Sequence, residues 1–275
     1  MLQRLDHIGI AVKNLDVALE RIEQVLGLRT NVIAEVEDQQ VRAALVPTPI
    51  GRFEIMEPTS PDGAVGRFLE RRGEGAHHVC FAVEDIERAR QHVLSKGGQL
   101  VGQEARPGLT GIVDFVHPRS TGGVLVELAK ITLFTPGFED PDLQFHHVTL
   151  RTEDADAAAE RWMDLFGIAL KRKLVSEGFQ MKTVWLDAGD AEVEFAQQLN
   201  ETGPVARAIK QRGEGFHALV LESSEPDQLA AHIQDLGLRV IRDDSEPTNV
   251  LRAIHPLDFM GTLVLLAAKG VIHGR

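Results

Sequence analysis

The chain repeats itself at fixed distances, and this limits its fold more than any single motif does. His7 and His147 lie 140 residues apart, as do Glu54 and Glu194, and Gly73-Glu74-Gly75 and Gly213-Glu214-Gly215. After a two-residue deletion the spacing becomes 138, which pairs His117-Pro118 with His255-Pro256 and Gly123 with Gly261. A shorter repeat of 71 lies inside the first half: the run from His7 to Val12 is matched by the run from His78 to Val83, Asp16 by Glu87 and Ala18 by Ala89. A chain made of four copies of one segment is expected to fold as four like supersecondary units.

Each copy reads as a strand followed by a helix and then several strands. Asn14 precedes the helical pattern Leu15–Leu26, Asp85 precedes Ile86–Ser95 and Asp154 precedes Ala155–Phe166, each offering a side-chain oxygen to the free amides of a first turn. Gly27, Gly97 and Gly167 stop these helices. Short apolar or alternating runs follow, among them Val41–Val46, Arg52–Met56, Ile112–Val116 and Val124–Leu128. One helix covers one face of a sheet, so the other face needs a partner, and two units per domain give a cupped sheet. Between the halves, the segment from Phe134 to Asp142 carries two prolines and a glycine, which places one domain at 1–133 and the other at 143–275.

With 275 residues, 43% of them hydrophobic, the chain can bury a core in each domain. A formal net charge of −12 with no Lys/Arg cluster argues against a nucleic-acid partner, which requires a basic face. The single cysteine, Cys80, excludes an intramolecular disulfide, and the longest apolar run, Leu263 to Ala268, is too short to span a bilayer. A cytoplasmic protein acting on small molecules, with no membrane contact, is the expectation.

Four metal-ligand residue types stand in the strand-like runs of the first half: His7, Glu54, His78 and Glu127. The second half keeps His147 and Glu194 but has Ala218 and Leu265 at the other two places. Because alternate residues of a strand share a face, His7 goes with Gly9 and Ala11, His78 with Cys80 and Ala82, Glu54 with Met56, and Glu127 with Leu125 and Ala129. Bulky Ile8, Ile10, Val79, Phe81 and Val83 take the other side, so the polar residues have small neighbours, as in the lining of a cavity. A lone His or Glu in a strand is more often a satisfied core group. Four in register on equivalent strands shift the balance toward a metal.

The segments Leu5–Val12, Phe53–Pro58, Gly73–His78 and His117–Leu128 resemble those of the vicinal oxygen chelate superfamily, which includes glyoxalases, bleomycin-resistance proteins and extradiol dioxygenases. They are most similar to the methylmalonyl-CoA epimerases. The resemblance implies an α+β fold of four βαβββ units paired into two tandem glyoxalase-like domains. It implies one divalent metal ion (Co, Mn, Ni, Zn or Fe) held by His7, Glu54, His78 and Glu127, with His77 turned away. It also implies a metal-dependent isomerase or lyase that moves a proton next to a carbonyl, with Glu127 as catalytic base and substrates bearing carbonyl or carboxylate oxygens. Where similar epimerases carry a second glutamate this chain has Ala43, and Ile112 stands where a basic residue is expected.

Two other activities fit the same superfamily: ring-cleaving dioxygenation of the extradiol type, which uses two His and one Glu and keeps its site in the second domain, and non-catalytic enclosure of a drug-like molecule. The second domain is expected to be degenerate, with Arg151 in its old cavity a candidate for an anionic ligand. The protein is expected as a homodimer, or as a monomer working as a fused pseudo-dimer. Cys80 is read as a buried filler, and the two Gly-Glu-Gly segments as turns rather than phosphate loops, since they follow helices instead of opening them.

Overall fold

The computed structural model describes residues 2–30, 32–133, 142–243 and 251–271. The Phe134–Asp142 segment, expected to separate the halves, lies outside the described residues except for Asp142. In the first half the order is β1 (Leu2–Ala11), α1 (Leu15–Leu26), β2 (Val32–Val36), β3 (Val41–Pro47), β4 (Arg52–Pro58), α2 (Ala64–Arg72), β5 (Gly75–Val83), α3 (Ile86–Ser95), β6 (Arg106–Pro107), β7 (Gly111–Val116) and β8 (Leu125–Ile131). The second half repeats it as β9 (Gln144–Arg151), α4 (Ala155–Phe166), β10 (Ala169–Ser176), β11 (Met181–Asp187), β12 (Glu192–Gln198), α5 (Pro204–Arg212), β13 (Gly215–Ser223), α6 (Pro226–Asp235), β14 (Val240–Asp243), β15 (Leu251–Ile254) and β16 (Val264–Ala268). Four βαβββ units are therefore present, and α2 and α5 join the members of each pair.

Each half forms one eight-stranded sheet, ordered β2-β3-β4-β1-β5-β8-β7-β6 and β10-β11-β12-β9-β13-β16-β15-β14. The sheets are mixed: β5 runs parallel to β8, β12 to β9 and β13 to β16, while the outer pairs are antiparallel. The first strand of every unit lies at the centre of its sheet, beside the first strand of its sister unit. Two central strands and their outer neighbours thus bring four strands together in each sheet.

The caps act as the residue types predict. Asn14 Oδ1 accepts from the Val17 amide at 3.0 Å, Asp85 Oδ1 from the Arg88 amide at 3.0 Å, and Asp154 Oδ1 from the Asp156 and Ala157 amides at 3.0 and 3.1 Å. Gly27 and Gly167 end α1 and α4 in the left-handed conformation, at φ 68° and 65°. After α3 the cap is Lys96, and Gly97 takes the left-handed turn one residue later.

The chain also divides into two compact units, each drawn from both halves: one holds residues 1–7, 78–134 and 147–217, the other 8–77, 135–146 and 218–275. In the first unit, Phe81 meets Trp162 and Phe166 with ring centroids 6.1 and 6.2 Å apart, and the Trp162 indole donates to the Thr121 carbonyl at 3.1 Å. Gly123, at φ 84°, rests on the second Gly-Glu-Gly turn, where an added Cβ would lie 2.5 Å from the Glu214 carbonyl oxygen. In the second unit, α1 and α6 touch, and His232 Nε2 lies 2.9 Å from the Gln24 carbonyl oxygen. There Gly261, at φ 66°, occupies the equivalent place against Glu74 of the first Gly-Glu-Gly turn. Both turns are packing surfaces for a glycine loop.

Candidate metal centre

In the first sheet β1 and β5 are neighbours, with β4 beside β1 and β8 beside β5. His7, Glu54, His78 and Glu127 sit one on each of these strands. The apolar partners of the same strands, Ile8, Ile10, Ile55, Val79, Phe81 and Leu128, are completely buried. Burying each of the larger ones contributes roughly 1.5–3 kcal/mol, which fixes strand register and with it the side on which the polar residues emerge.

One donor atom from each of His7, Glu54, His78 and Glu127 lies within 4.8 Å of all the others. Three are tighter still: His7 Nε2 is 3.2 Å from His78 Nε2, and each of these nitrogens is 3.0 Å from Glu127 Oε2. An octahedral ion with bonds of about 2.1 Å separates adjacent ligand atoms by about 3.0 Å. The triangle has the spacing of one octahedral face, and two imidazoles with two carboxylates form a donor set suited to a first-row divalent ion. All four residues are buried.

The carboxylates set the protonation of their neighbours here. Burial alone would lower the His7 pKa, but its contacts with the Asp6 and Glu127 carboxylates hold it well above the ordinary value. Burial and the charge of Glu127 push the Cys80 thiol up as well, so Cys80 stays neutral and the carboxylates supply the negative charge. Burial would raise the Glu127 carboxyl, yet His78 and His7 hold it below the usual range. Glu127 is therefore a carboxylate at neutral pH.

The face around these groups is small and apolar. Cys80, Val113, Phe115 and Ala129 form one cluster, and the Phe115 ring meets His78 edge-on at 5.7 Å. On β3, Leu45 stands opposite Glu54, and Ala43 opposite Met56. Ala43 thus shares the face of Glu54, two positions along, and is fully buried. His77 is turned to Phe68 of α2, with ring centroids 4.9 Å apart.

Sequence reasoning missed the support beneath His7. Asp6 Oδ2 lies 2.9 Å from His7 Nδ1, and Arg4 holds the other oxygen, Oδ1, at 2.8–2.9 Å. Strand alternation assigns Asp6 to the opposite face from His7, so the pattern gave no warning. An acidic residue directly before a candidate histidine ligand was the available signal.

The second half replaces the cluster with packing. His147 Nε2 is 3.4 Å from Glu194 Oε2, the carboxylate also accepts from the Thr149 hydroxyl at 2.6 Å, and the positions of the missing ligands hold Ala218 and Leu265. Trp185, across the ladder from Glu194, meets His147 edge-on with ring centroids 4.5 Å apart. The Trp185 indole also donates to the Thr183 hydroxyl at 2.8 Å and carries the Arg172 guanidinium over its ring at 4.1 Å, Arg172 being paired with Glu192 at 2.7 and 3.2 Å. Arg151, read from sequence as open to an anion, donates to the Gly213 carbonyl at 2.7 Å and to that of Phe216. Among the described residues, every group of three or more potential ligands includes His7.

The family model described as "Glyoxalase/Bleomycin resistance protein/Dioxygenase superfamily" matches residues 6–115 and again 146–253. The chain belongs to this superfamily. The expected tandem arrangement of vicinal oxygen chelate domains is thereby met in sequence and in fold. This superfamily member is 38% identical over 130 residues to the Bacillus subtilis protein YqjC, across 47% of this chain and 93% of that protein. It is 32% identical over 134 residues to the ethylmalonyl-CoA/methylmalonyl-CoA epimerase of Cereibacter sphaeroides, across 48% of this chain and 100% of that enzyme. A solved structure of a 4-hydroxymandelate synthase variant from Streptomyces coelicolor superimposes with a TM-score of 0.75 at 14% identity, across 98% of this chain and 94% of that one. At such identity it shows a common fold. No helix among the described residues is long and apolar enough to cross a membrane.

Proposed function

We propose that residues 1–133 form a domain that binds one divalent metal ion through His7, Glu54, His78 and Glu127, and that the protein is an epimerase or isomerase moving a proton next to a carbonyl. Residues 143–275 form its degenerate partner domain. The observation that carries this reading is the triangle of His7 Nε2, His78 Nε2 and Glu127 Oε2 with sides of 3.0–3.2 Å. Relatives named as methylmalonyl-CoA epimerases support the reaction class.

A divalent ion bound here would polarise a carbonyl oxygen and make the neighbouring C–H more acidic. The rest of the chemistry belongs to the chain. The Glu127 carboxylate, held ionised by two imidazoles, takes the proton from carbon and returns it. The apolar face of Phe115, Val113 and Ala129 excludes water around that carboxylate. Ala43 and Met56 on the neighbouring strands carry no acid or base, so these residues supply a single proton-transfer group. One base fits proton removal and return from one side, as in a glyoxalase-like isomerase; inversion at carbon requires a second donor, such as water.

The test is solvent deuterium incorporation into a panel of CoA thioesters and α-oxo compounds, with metal analysis of the same sample. The expected result is deuterium at the carbon next to the carbonyl, removed by a chelator, restored by a divalent ion and lost in Glu127→Gln. Absence of exchange in metal-loaded protein across the panel would overturn the proton-transfer assignment. Oxygen uptake with catechols after anaerobic Fe(II) loading would replace it with ring cleavage.

A further inference from the structure

We infer that Asp6 is a positioning residue that fixes His7 in the tautomer needed to bind metal, with Arg4 holding Asp6 in place. This rests on the metal reading above and concerns a residue outside the four proposed ligands. His7 is fully buried and Asp6 1% exposed, so neither can exchange its partner for bulk water. Only Nδ1 of the His7 ring faces Asp6 Oδ2, at 2.9 Å, while Nε2 faces His78 and Glu127. A carboxylate has no proton to give, so the hydrogen in the Asp6 contact belongs to Nδ1. In the neutral ring this leaves the lone pair on Nε2, directed at the donor cluster. A carboxylate behind a ligating histidine both sets the tautomer and raises the basicity of the ligating nitrogen.

Asp6 needs its own anchor, because a short buried carboxylate with one oxygen unengaged would swing or take up a proton. Arg4 supplies it from two residues earlier, with NH1 and NH2 at 2.9 and 2.8 Å from Oδ1. The Arg4 side chain is 30% exposed, so the relay starts at the surface and ends at the site.

The internal copy gives an independent reason to assign this role. At the spacing of 140, Arg4 corresponds to Gln144, Asp6 to His146 and His7 to His147. The half that lacks two of the ligand types also lacks the supporting carboxylate and its arginine. Gln144 and His146 there turn to Glu222, at 3.3 and 3.8 Å, and Glu222 corresponds to Ala82 of the first half. A carboxylate kept only for packing would have no reason to be absent together with the ligands.

The experiment measures Co2+ affinity of the full-length protein by competition with a chelating dye, for wild type, Asp6→Asn, Asp6→Ala and Arg4→Gln. It also follows the solvent-exchangeable Nδ1 proton signals of the Co2+-loaded forms by NMR. Loss of Asp6 is expected to weaken Co2+ binding about 10–100-fold and to shift or broaden one of the two histidine Nδ1 proton signals. Arg4→Gln should weaken binding less, in the same direction. Asp6→Asn keeps the shape of the side chain, so its result stands even where Asp6→Ala does not fold. Wild-type affinity and unchanged Nδ1 signals in folded Asp6→Asn would overturn the inference while leaving the metal reading intact. A wild type that binds no Co2+ overturns both.

Discussion

The two halves carry the same frame and opposite interiors. In the first, His7, Glu54, His78 and Glu127 bring four electron-rich atoms together; in the second, His147 and Glu194 survive beside Trp185, and the repeat has Ala218 and Leu265 at the other two ligand positions. Strand order, the caps of α1 and α4 and the glycine contacts on the Gly-Glu-Gly turns are alike. Fold and chemistry are thus held by different residues: apolar positions and turns preserve the frame, and a few side chains on the central strands decide whether it gathers charge or excludes it. A buried group of carboxylates and imidazoles is costly unless something positive is shared among them. The second half avoids that cost by filling the space with an indole and pairing Arg172 with Glu192.

The largest effect that would sharpen this comparison is a ligand deletion. His78→Ala should weaken divalent-metal binding by at least about 100-fold, beyond the usual cost of disturbing a supporting group. Ala218→His should give the second half no measurable site, because Leu265 still stands at the fourth ligand position of the repeat and Trp185 packs against His147. Isothermal titration of the two variants checks both, and strong binding gained by Ala218→His would break the contrast.

The next effect falls on stability. Trp185 is 4% exposed and packed between His147 and Arg172, so Trp185→Ala should destabilise the protein by about 3–5 kcal/mol in urea unfolding while metal affinity stays unchanged. A change in metal affinity instead would mean that the two halves do not divide the tasks of packing and binding as described.

Acid should act on the second half through His217. Burial, and then the Arg151 cation, lower its pKa from 6.5 to about 4. The first half has Ala11 at the position of Arg151. A histidine whose folded pKa is depressed binds fewer protons than in the unfolded chain between about pH 4 and 6.5, so stability falls as pH drops through that window and levels off below it. The loss is roughly 2–3 kcal/mol at most once partial exposure is allowed for. His217→Gln should flatten this part of the stability profile, measured by unfolding at pH 4.5 and 7.

The smallest effect tests the likeness of the frames. Asn14→Ala and Asp154→Ala each remove a helix cap at the same point of the repeat, and each should cost about 1 kcal/mol. Clearly unequal costs would show that the frames differ more than their geometry indicates.

Much of this was legible in the sequence, for identifiable physical reasons. The caps at Asn14, Asp85 and Asp154 are local and depend on residue type alone. The gathering of His7, Glu54, His78 and Glu127 was legible because a repeat places equivalent strands at equivalent sites of a sheet. Trp185 was not, since its contact with His147 depends on the β11–β12 register, which sets it opposite Glu194. Arg151 reads in sequence as a candidate for an anionic ligand, and its bonds to the Gly213 and Phe216 carbonyls are a matter of loop path that the repeat does not reveal. Asp6 was hidden by the alternation rule itself, because its carboxylate reaches its neighbour's ring. The packing of Phe81 on Trp162 and Phe166, residues from opposite halves, is likewise invisible to a repeat, which describes units but not their outer partners.

The contrast between the halves rests on cation binding, proposed for the first and not for its copy. Anomalous diffraction at the cobalt edge, from crystals of the full chain grown with Co2+, tests it most directly. One strong peak bounded by His7, Glu54, His78 and Glu127, and none beside His147 and Glu194, is expected. Equal peaks in both halves, or a peak beside His147 alone, would contradict it.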